Sequence, residues 1–199
     1  MTLNRTEELR KIRDEIVELT TSPLYEYRVK SKYFPVIGEG SHSAAIMFIG
    51  EAPGQKEAET GRPFCGAAGK ILDELIESIG LKRADVYITN VVKDRPPNNR
   101  DPSQVEIDLY GPFLFRQIEI IKPKVIATLG RFSMKYILEK FGLPEKDQSI
   151  SVLHGKALDA IANYGPIIIV PLYHPAVVLY NVNSRRDLEK DFEVLKTPG

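Results

Sequence analysis

Cysteine is almost absent: Cys65 stands alone among 199 residues. A single thiol cannot close an internal disulfide, build a four-thiolate zinc site or ligate an iron-sulfur cluster, so secreted disulfide scaffolds and those metal classes are excluded together. An excess of either charge is also lacking. The 27 basic and 27 acidic side chains cancel, which argues against a surface that is positive all over, yet leaves room for a local basic face. Long apolar runs are missing as well. The opening MTLNRTEELRKIRDEIVELT alternates charge with isolated aliphatics, unlike a signal peptide or a membrane span of about 18 apolar residues. A cytoplasmic, soluble protein without membrane contact is expected. With 43% hydrophobic residues, a chain of this length can bury roughly 70% of its unfolded surface without staples. One domain over residues 1–199, working as a monomer, is the simplest organisation.

Leu9, Ile12, Ile16 and Leu19 recur at three- and four-residue spacing, predicting an outer helix that ends before Ser22-Pro23. From Pro23 to Ser43 the pattern weakens into extended segments and loops. Four nearly continuous apolar runs follow: Ala44 to Ile49, Val86 to Val92, Lys124 to Leu129 and Pro166 to Val170. Separated by helical patterns, they read as strands buried on both faces of a parallel sheet. The helices are expected at Ala67 to Ile79, Ser103 to Ile121, Arg131 to Phe141 and Arg185 to Lys196, with Asp101 as N-cap and Pro102 as first residue of the second. The fold class is α/β: a three-layer α/β/α sandwich around a central four-stranded, mainly parallel sheet.

Such sheets bind ligands beyond the carboxyl ends of their strands, so the loops after the runs are where chemistry is expected. They read Gly50-Glu51-Ala52-Pro53-Gly54 with Gly61-Arg62-Pro63-Phe64, then Lys93 to Arg100 directly past Asn90, then Tyr173-His174-Pro175-Ala176. Taken singly, each reads equally well as a Pro/Gly turn; three on one rim argue for a site. Glu51 is an acceptor, His174 can donate to a developing anion, and Phe64 offers a flat apolar face. Asn90 can accept an N–H while donating to a carbonyl, the pair that uracil presents and cytosine inverts. The bland alternatives are a turn-capping Asn90, a core Phe64, a solvated Glu51 and a loop-bonding His174. His42 and His154 stand outside any motif and are taken as structural.

Gly50-Glu-Ala-Pro-Gly54, Gly61-Arg-Pro-Phe64, Thr89-Asn90-Val-Val-Lys93, Arg95-Pro-Pro-x-Asn99-Arg-Asp-Pro102 and His174-Pro-Ala176 together resemble the ordered motifs of the uracil-DNA glycosylase superfamily. They are most similar to its thermostable, iron-sulfur branch, usually called family four. The resemblance implies that Phe64 stacks on a flipped uracil, Asn90 reads its edge and His174 donates to its O2. It puts Glu51 at the position associated with the hydrolytic water. Ala52 lies where the best-known family of the superfamily has an aspartate, and Glu57 where a thymine methyl would be crowded. Asn99 falls in a motif linked to the water or substrate. Val178 and Leu179 fall in the wedge segment, where the family more often has Leu. Lys93, Arg95 and Arg100, with Arg185 and Arg186 behind the wedge, are the candidate phosphate contacts.

The branch carries a four-iron, four-sulfur cluster on four cysteines, and the matching positions are Leu19, Ser22, Asp94 and Tyr110. No cofactor is therefore expected. Leu19 and Tyr110 are expected to pack where the cluster sat, with Ser22 and Asp94 finding hydrogen bonds or solvent. The partner implied is uracil-containing DNA, and the reaction implied is hydrolysis of the N-glycosidic bond. Two rivals stand beside it: a glycosylase shifted to hypoxanthine or another deaminated base, and a non-catalytic nucleotide-binding module of flavodoxin type. Glu51 adds negative charge and Pro53 removes an N–H, which makes the Gly50 to Gly54 loop poor for phosphate.

Overall fold

The computed structural model describes residues 4–196. Helix α1 (Arg5–Val17) turns its Leu9, Ile12 and Ile16 stripe inward, as its spacing predicts. A short α2 (Tyr25–Ser31), ended by Lys32 at φ 56°, occupies the stretch expected as loop; at seven residues it is too brief to show a hydrophobic period. Strands β1 (Glu39–Gly40), β2 (Ile46–Gly50), β3 (Tyr87–Asn90), β4 (Val125–Leu129), β5 (Leu158–Ala162) and β6 (Gly165–Leu172) form one sheet. Its order is β1-β3-β2-β4-β6-β5. The central β3, β2, β4 and β6 are the four apolar runs, all parallel. The edges β1 and β5 are antiparallel additions to the expected four.

Between β2 and β3 come α3 (Gln55–Thr60) and α4 (Ala67–Ser78); α5 (Gln104–Ile121) leads to β4 and α6 (Arg131–Lys140) follows it. A one-turn α7 (Ile150–Leu153) precedes β5, and α8 (Val177–Tyr180) and α9 (Ser184–Glu193) close the chain. Helix α5 starts later than Asp101-Pro102 suggests. Ser103 is the N-cap and forms a capping box with Glu106, a reciprocal bond pair that outcompetes Asp101.

Successive residues of β2 point to opposite faces, so the sheet separates two cores. Met47 and Ile49 join α1, α5 and α6 through Ile12, Ile16, Leu114, Ile118 and Ile137. Ile46 and Phe48 join α4 and α9 through Leu72, Leu75, Leu188 and Phe192. The result is the expected three-layer α/β/α sandwich, and it fixes the four strand ends as one edge. Among the described residues, no helix is long and apolar enough to cross a membrane.

Candidate active site

Strand register decides which loops meet. Gly50 pairs beside Asn90 and Leu129 beside Leu172, so the loops after β2, β3 and β6 rise from the same edge. They enclose a cleft of about 410 Å³ lined by Glu51, Ala52, Glu57, Phe64, Asn90, Asn99, Arg100, His174 and Ala176. That size lies within the range of small-molecule sites, about 300–1,000 Å³. The strand order reverses at β2, the place where open α/β sheets leave a crevice.

Asn90 ends β3 with 1% of its surface exposed, and its Oδ1 is buried without a hydrogen-bond partner. An unmet buried acceptor costs about 1–3 kcal/mol, so a donor arriving in the cleft would relieve it. Gly50 makes the room. A Cβ there would overlap Asn90 Oδ1 and stand 2.7 Å from the Phe64 ring. Gly50→Ala is therefore expected to displace the Asn90 amide and the Phe64 ring together. It should lower kcat/KM on the true substrate by about tenfold or more and lower the melting temperature by only a few degrees through overpacking, checked by parallel kinetics and calorimetry.

Phe64 is buried and adopts φ 46°, a left-handed backbone that is strained for an aromatic residue. Glu57 holds it there: Oε1 accepts from the Cys65 and Gly66 amides at 3.0 and 2.9 Å. Those amides open α4, where a carboxylate is favoured. Glu57 thus has a structural task in the loop as well as a place on the cleft wall. Cys65 lies 3.3 Å from Thr60 Oγ1.

His174 stacks on Phe64 with ring centroids 5.5 Å apart. The Ala176 amide donates to its Nδ1 at 3.1 Å, which places the neutral ring's proton on Nε2 and leaves that N–H for a ligand. Burial pushes its pKa down to about 4, against a weaker upward pull from Glu57. The imidazole is a neutral donor at pH 7. Glu51 has the opposite shift. Burial, followed by the charge of Asp101, raises it to about 7, opposed by Arg131. It is poised to titrate near neutrality, as a group that handles a water proton should.

A sequence profile described as the Uracil DNA glycosylase superfamily matches residues 37–196. The chain belongs to the uracil-DNA glycosylase superfamily. Among its relatives are a type-4 uracil-DNA glycosylase of Sulfurisphaera tokodaii, 49% identical over 94% of this chain and 83% of that protein, and one of Thermotoga maritima, 38% identical over 97% and 95%. A type-5 uracil-DNA glycosylase of Pyrobaculum aerophilum is 29% identical over 89% and 81%. These matches to type-4 enzymes, over most of this chain, bear out the branch to which the sequence motifs pointed.

In this member of the superfamily two expected DNA contacts are corrected. Lys93 is fully buried beneath the β3 end, where Nζ donates to Asn90 O, Thr89 Oγ1 and Gln117 Oε1 at 2.6–2.7 Å. It cannot reach phosphate; it ties the backbone of Asn90 to α5. Burial drives its pKa well down from 10.5. Val178 turns into the α4/α9 core at 9% exposure, whereas Leu179 faces outward at 53%. The one-turn α8 sends its residues in different directions, and nothing in a run of three aliphatics signals which faces in. Tyr180, 90% exposed beside Leu179, went unmarked in the sequence because it belongs to none of the motifs.

Arg95 and Arg100 have internal partners. Arg95 Nε donates to Asn99 Oδ1 at 2.8 Å and its Nη1 to Tyr33. Arg100 chelates buried Glu106 at 2.6 and 2.9 Å. Arg185 is paired with Glu74 and Glu189, and Arg186 is exposed.

The four positions matching the cluster ligands do not fit an iron-sulfur cluster, because they present an aliphatic, two hydroxyls and a carboxylate, and the three polar ones are hydrogen-bonded to one another. Ser22 Oγ meets Tyr110 OH at 2.8 Å, and Tyr110 OH donates to Asp94 Oδ2 at 2.6 Å. Arg28 Nη1 donates to both Asp94 oxygens at 3.1–3.2 Å. Leu19 packs against the adjoining core. Tyr110 both packs and bonds, and neither Ser22 nor Asp94 turns to solvent. His42 and His154 bond to Thr6 and Asp191.

Proposed function

We propose that this chain is a DNA repair glycosylase that excises uracil from DNA, acting as a monomeric, cytoplasmic single domain. The observation that carries the reading is the orphaned Asn90 Oδ1 in one cleft with Phe64 and the free Nε2–H of His174. An N–H at one edge position and carbonyls beside it are what these groups would satisfy, and uracil has them. The names of the type-4 relatives support the same substrate.

A stacked base is out of reach, so the nucleotide is first extruded at a cost of a few kcal/mol. Phe64 receives the ring face and Asn90 takes its edge. The C1′–N1 bond then breaks with both electrons passing to uracil. His174 donates to O2 as that charge develops, stabilising the transition state more than the ground state. Water adds at C1′ and passes its proton to the Glu51 carboxylate, which orients it and offsets positive charge on the sugar; that proton leaves to solvent, and uracil departs as its anion. Asn99 and Ala52 complete the wall. We read the enzyme as working without an iron-sulfur cluster, since one cysteine cannot ligate it. DNA is held by backbone contacts along the rim near Arg95 and Arg100, with Leu179 as the outward wedge residue.

The test is a panel of duplexes carrying a single uracil, hypoxanthine, xanthine or mismatched thymine. Excision of uracil alone or far fastest supports the reading; faster release of hypoxanthine would replace it with the shifted specificity.

The Glu51 shift makes a second measurement decisive. If its carboxylate serves the water, kcat/KM should rise as pH passes through about 7. Stability should run the other way: with the folded pKa raised, the native state holds the extra proton between about 4.5 and 7, so stability falls as pH rises there. Glu51→Gln should flatten both slopes, read by pH-resolved kinetics and thermal melts.

A further inference from the structure

We propose that the buried Arg28–Asp94–Tyr110–Ser22 network, together with Tyr27 and Tyr33, is a metal-free brace that positions the Arg95 to Arg100 loop, and through it Asn99, over the cleft. It rests on the glycosylase reading for its function, though its structural content stands apart from it. The loop itself is poorly specified. Asn98 and Asn99 both have left-handed φ, 57° and 52°, and only the Asn99 and Arg100 amides, bonded to Pro96 O and Pro97 O, close the turn. Pro96 and Pro97 contribute no N–H of their own. Glu106 grips the Arg100 end from α5, so it is the Arg95 end that needs an anchor from outside.

Helix α2 and the turn that follows it supply that anchor. Arg28, 5% exposed, reaches Asp94, while Tyr27 and Tyr33 take Arg95. The Arg95 guanidinium also lies 5.4 Å from the Tyr33 ring centroid, and its Nε fixes Asn99 Oδ1. With Oδ1 engaged, the Asn99 NH₂ is the part left for the cleft. The same Arg28 caps the carbonyl end of α1 through Ile16 and Val17, where a cation is favoured. From the other side the Leu24 amide donates to Ser22 Oγ. The bonds therefore run in one direction, Leu24 to Ser22 to Tyr110 to Asp94, ending on a carboxylate that Arg28 also grips. Such aligned chains reinforce one another in a buried setting. Two donors, Arg28 Nη1 across both oxygens and the Tyr110 hydroxyl, match an ionised carboxylate.

The brace thus links α1, α2 and α5 to the loop at the place where the branch has thiolates and metal. Leu19 closes its flank. The disagreement between these residues and a cluster is a substitution of one anchor by another.

Three measurements test this. Protein produced with ample iron and purified anaerobically should carry no iron and no visible charge-transfer band; stoichiometric iron would overturn the proposal. Tyr110→Phe removes one hydroxyl from the centre of the chain. It should speed amide exchange at Asn99 and Arg100 by roughly tenfold while the sheet strands keep their protection, and should raise KM for uracil DNA more than it lowers kcat. Arg28→Met leaves Asp94 buried without its cation and should melt far below wild type, while Arg28→Met/Asp94→Leu should recover stability without recovering slow exchange in the loop. If Tyr110→Phe and the double variant both keep wild-type exchange and KM, the network is replaceable core filling and the brace is wrong. Exchange and iron content do not depend on activity, so a wild-type protein that fails to excise uracil would refute the glycosylase reading alone.

Discussion

His174→Ala is expected to reduce kcat for uracil excision by about 10²–10³-fold with little change in affinity for DNA. The reason is geometric before it is electrostatic. The Ala176 amide occupies Nδ1, so in the proposed mechanism the ring would meet uracil through Nε2–H, and charge would reach O2 only as the glycosidic bond opens. An interaction that exists mainly in the transition state lowers kcat and kcat/KM together when removed. Because burial holds the imidazole pKa at about 4, its donor state should not change between pH 5 and 8, where Glu51 alone shapes the profile. Stability carries the complementary sign. The folded pKa is depressed, so the unfolded chain binds the extra proton between about 6.5 and 4; this contribution is fully present above 6.5 and lost as pH falls through 4. His174→Ala should therefore flatten part of the acid limb of a melting-temperature profile. Single-turnover kinetics with unchanged DNA binding would support the role; wild-type kcat in the variant would remove it.

Asn90→Ala should cost at least about 10²-fold in kcat/KM for uracil, since a site built to pair a polar edge discriminates by what it leaves unpaired. The orphaned Oδ1 makes the expectation specific to this residue. Its backbone is pinned by Lys93 and its side chain is hemmed in by the space that Gly50 leaves, so the amide cannot turn to serve a different base. Asn90→Asp keeps the shape but replaces the NH₂ with an acceptor. It should lose uracil excision and raise the ratio of cytosine to uracil release, because cytosine offers an amino group where uracil offers a carbonyl. Equal rates for wild type and Asn90→Ala on uracil, measured in single-strand and duplex substrates, would show that the edge is read elsewhere.

Much of this was legible from residues in a row. The four parallel strands announce themselves because strands covered on both faces are apolar throughout, and α4, α5, α6 and α9 because a stripe at 3.6 residues per turn survives without knowledge of its neighbours. The edge strands β1 and β5 escaped that logic: β1 spans two residues and β5 has mixed exposure. Helix α2 escaped it through its length. That Glu51, Phe64, Asn90, Asn99 and His174 would line one cleft was legible since parallel strands deliver their following loops to one edge, whatever the details of packing.

The side chains whose roles changed are those whose surroundings come from distant segments. Lys93 reads as a rim cation beside Arg95, yet Gln117, 24 residues away, and Thr89 enclose it. Val178 and Leu179 look interchangeable until the α4/α9 core selects one. Ser22, Arg28, Asp94 and Tyr110 gain meaning only as a group, with Ser22 and Tyr110 separated by 88 residues.

The sequence alone determined the α/β class, the edge that bears the chemistry and the absence of a cysteine ligand set, because period, strand burial and residue chemistry are local properties. Tertiary structure alone decided which cations are buried, which proton His174 carries, and that the polar cluster positions Ser22, Asp94 and Tyr110 are bonded to each other. Burial and hydrogen-bond partnership are set by segments far apart in the chain, and no local pattern encodes them.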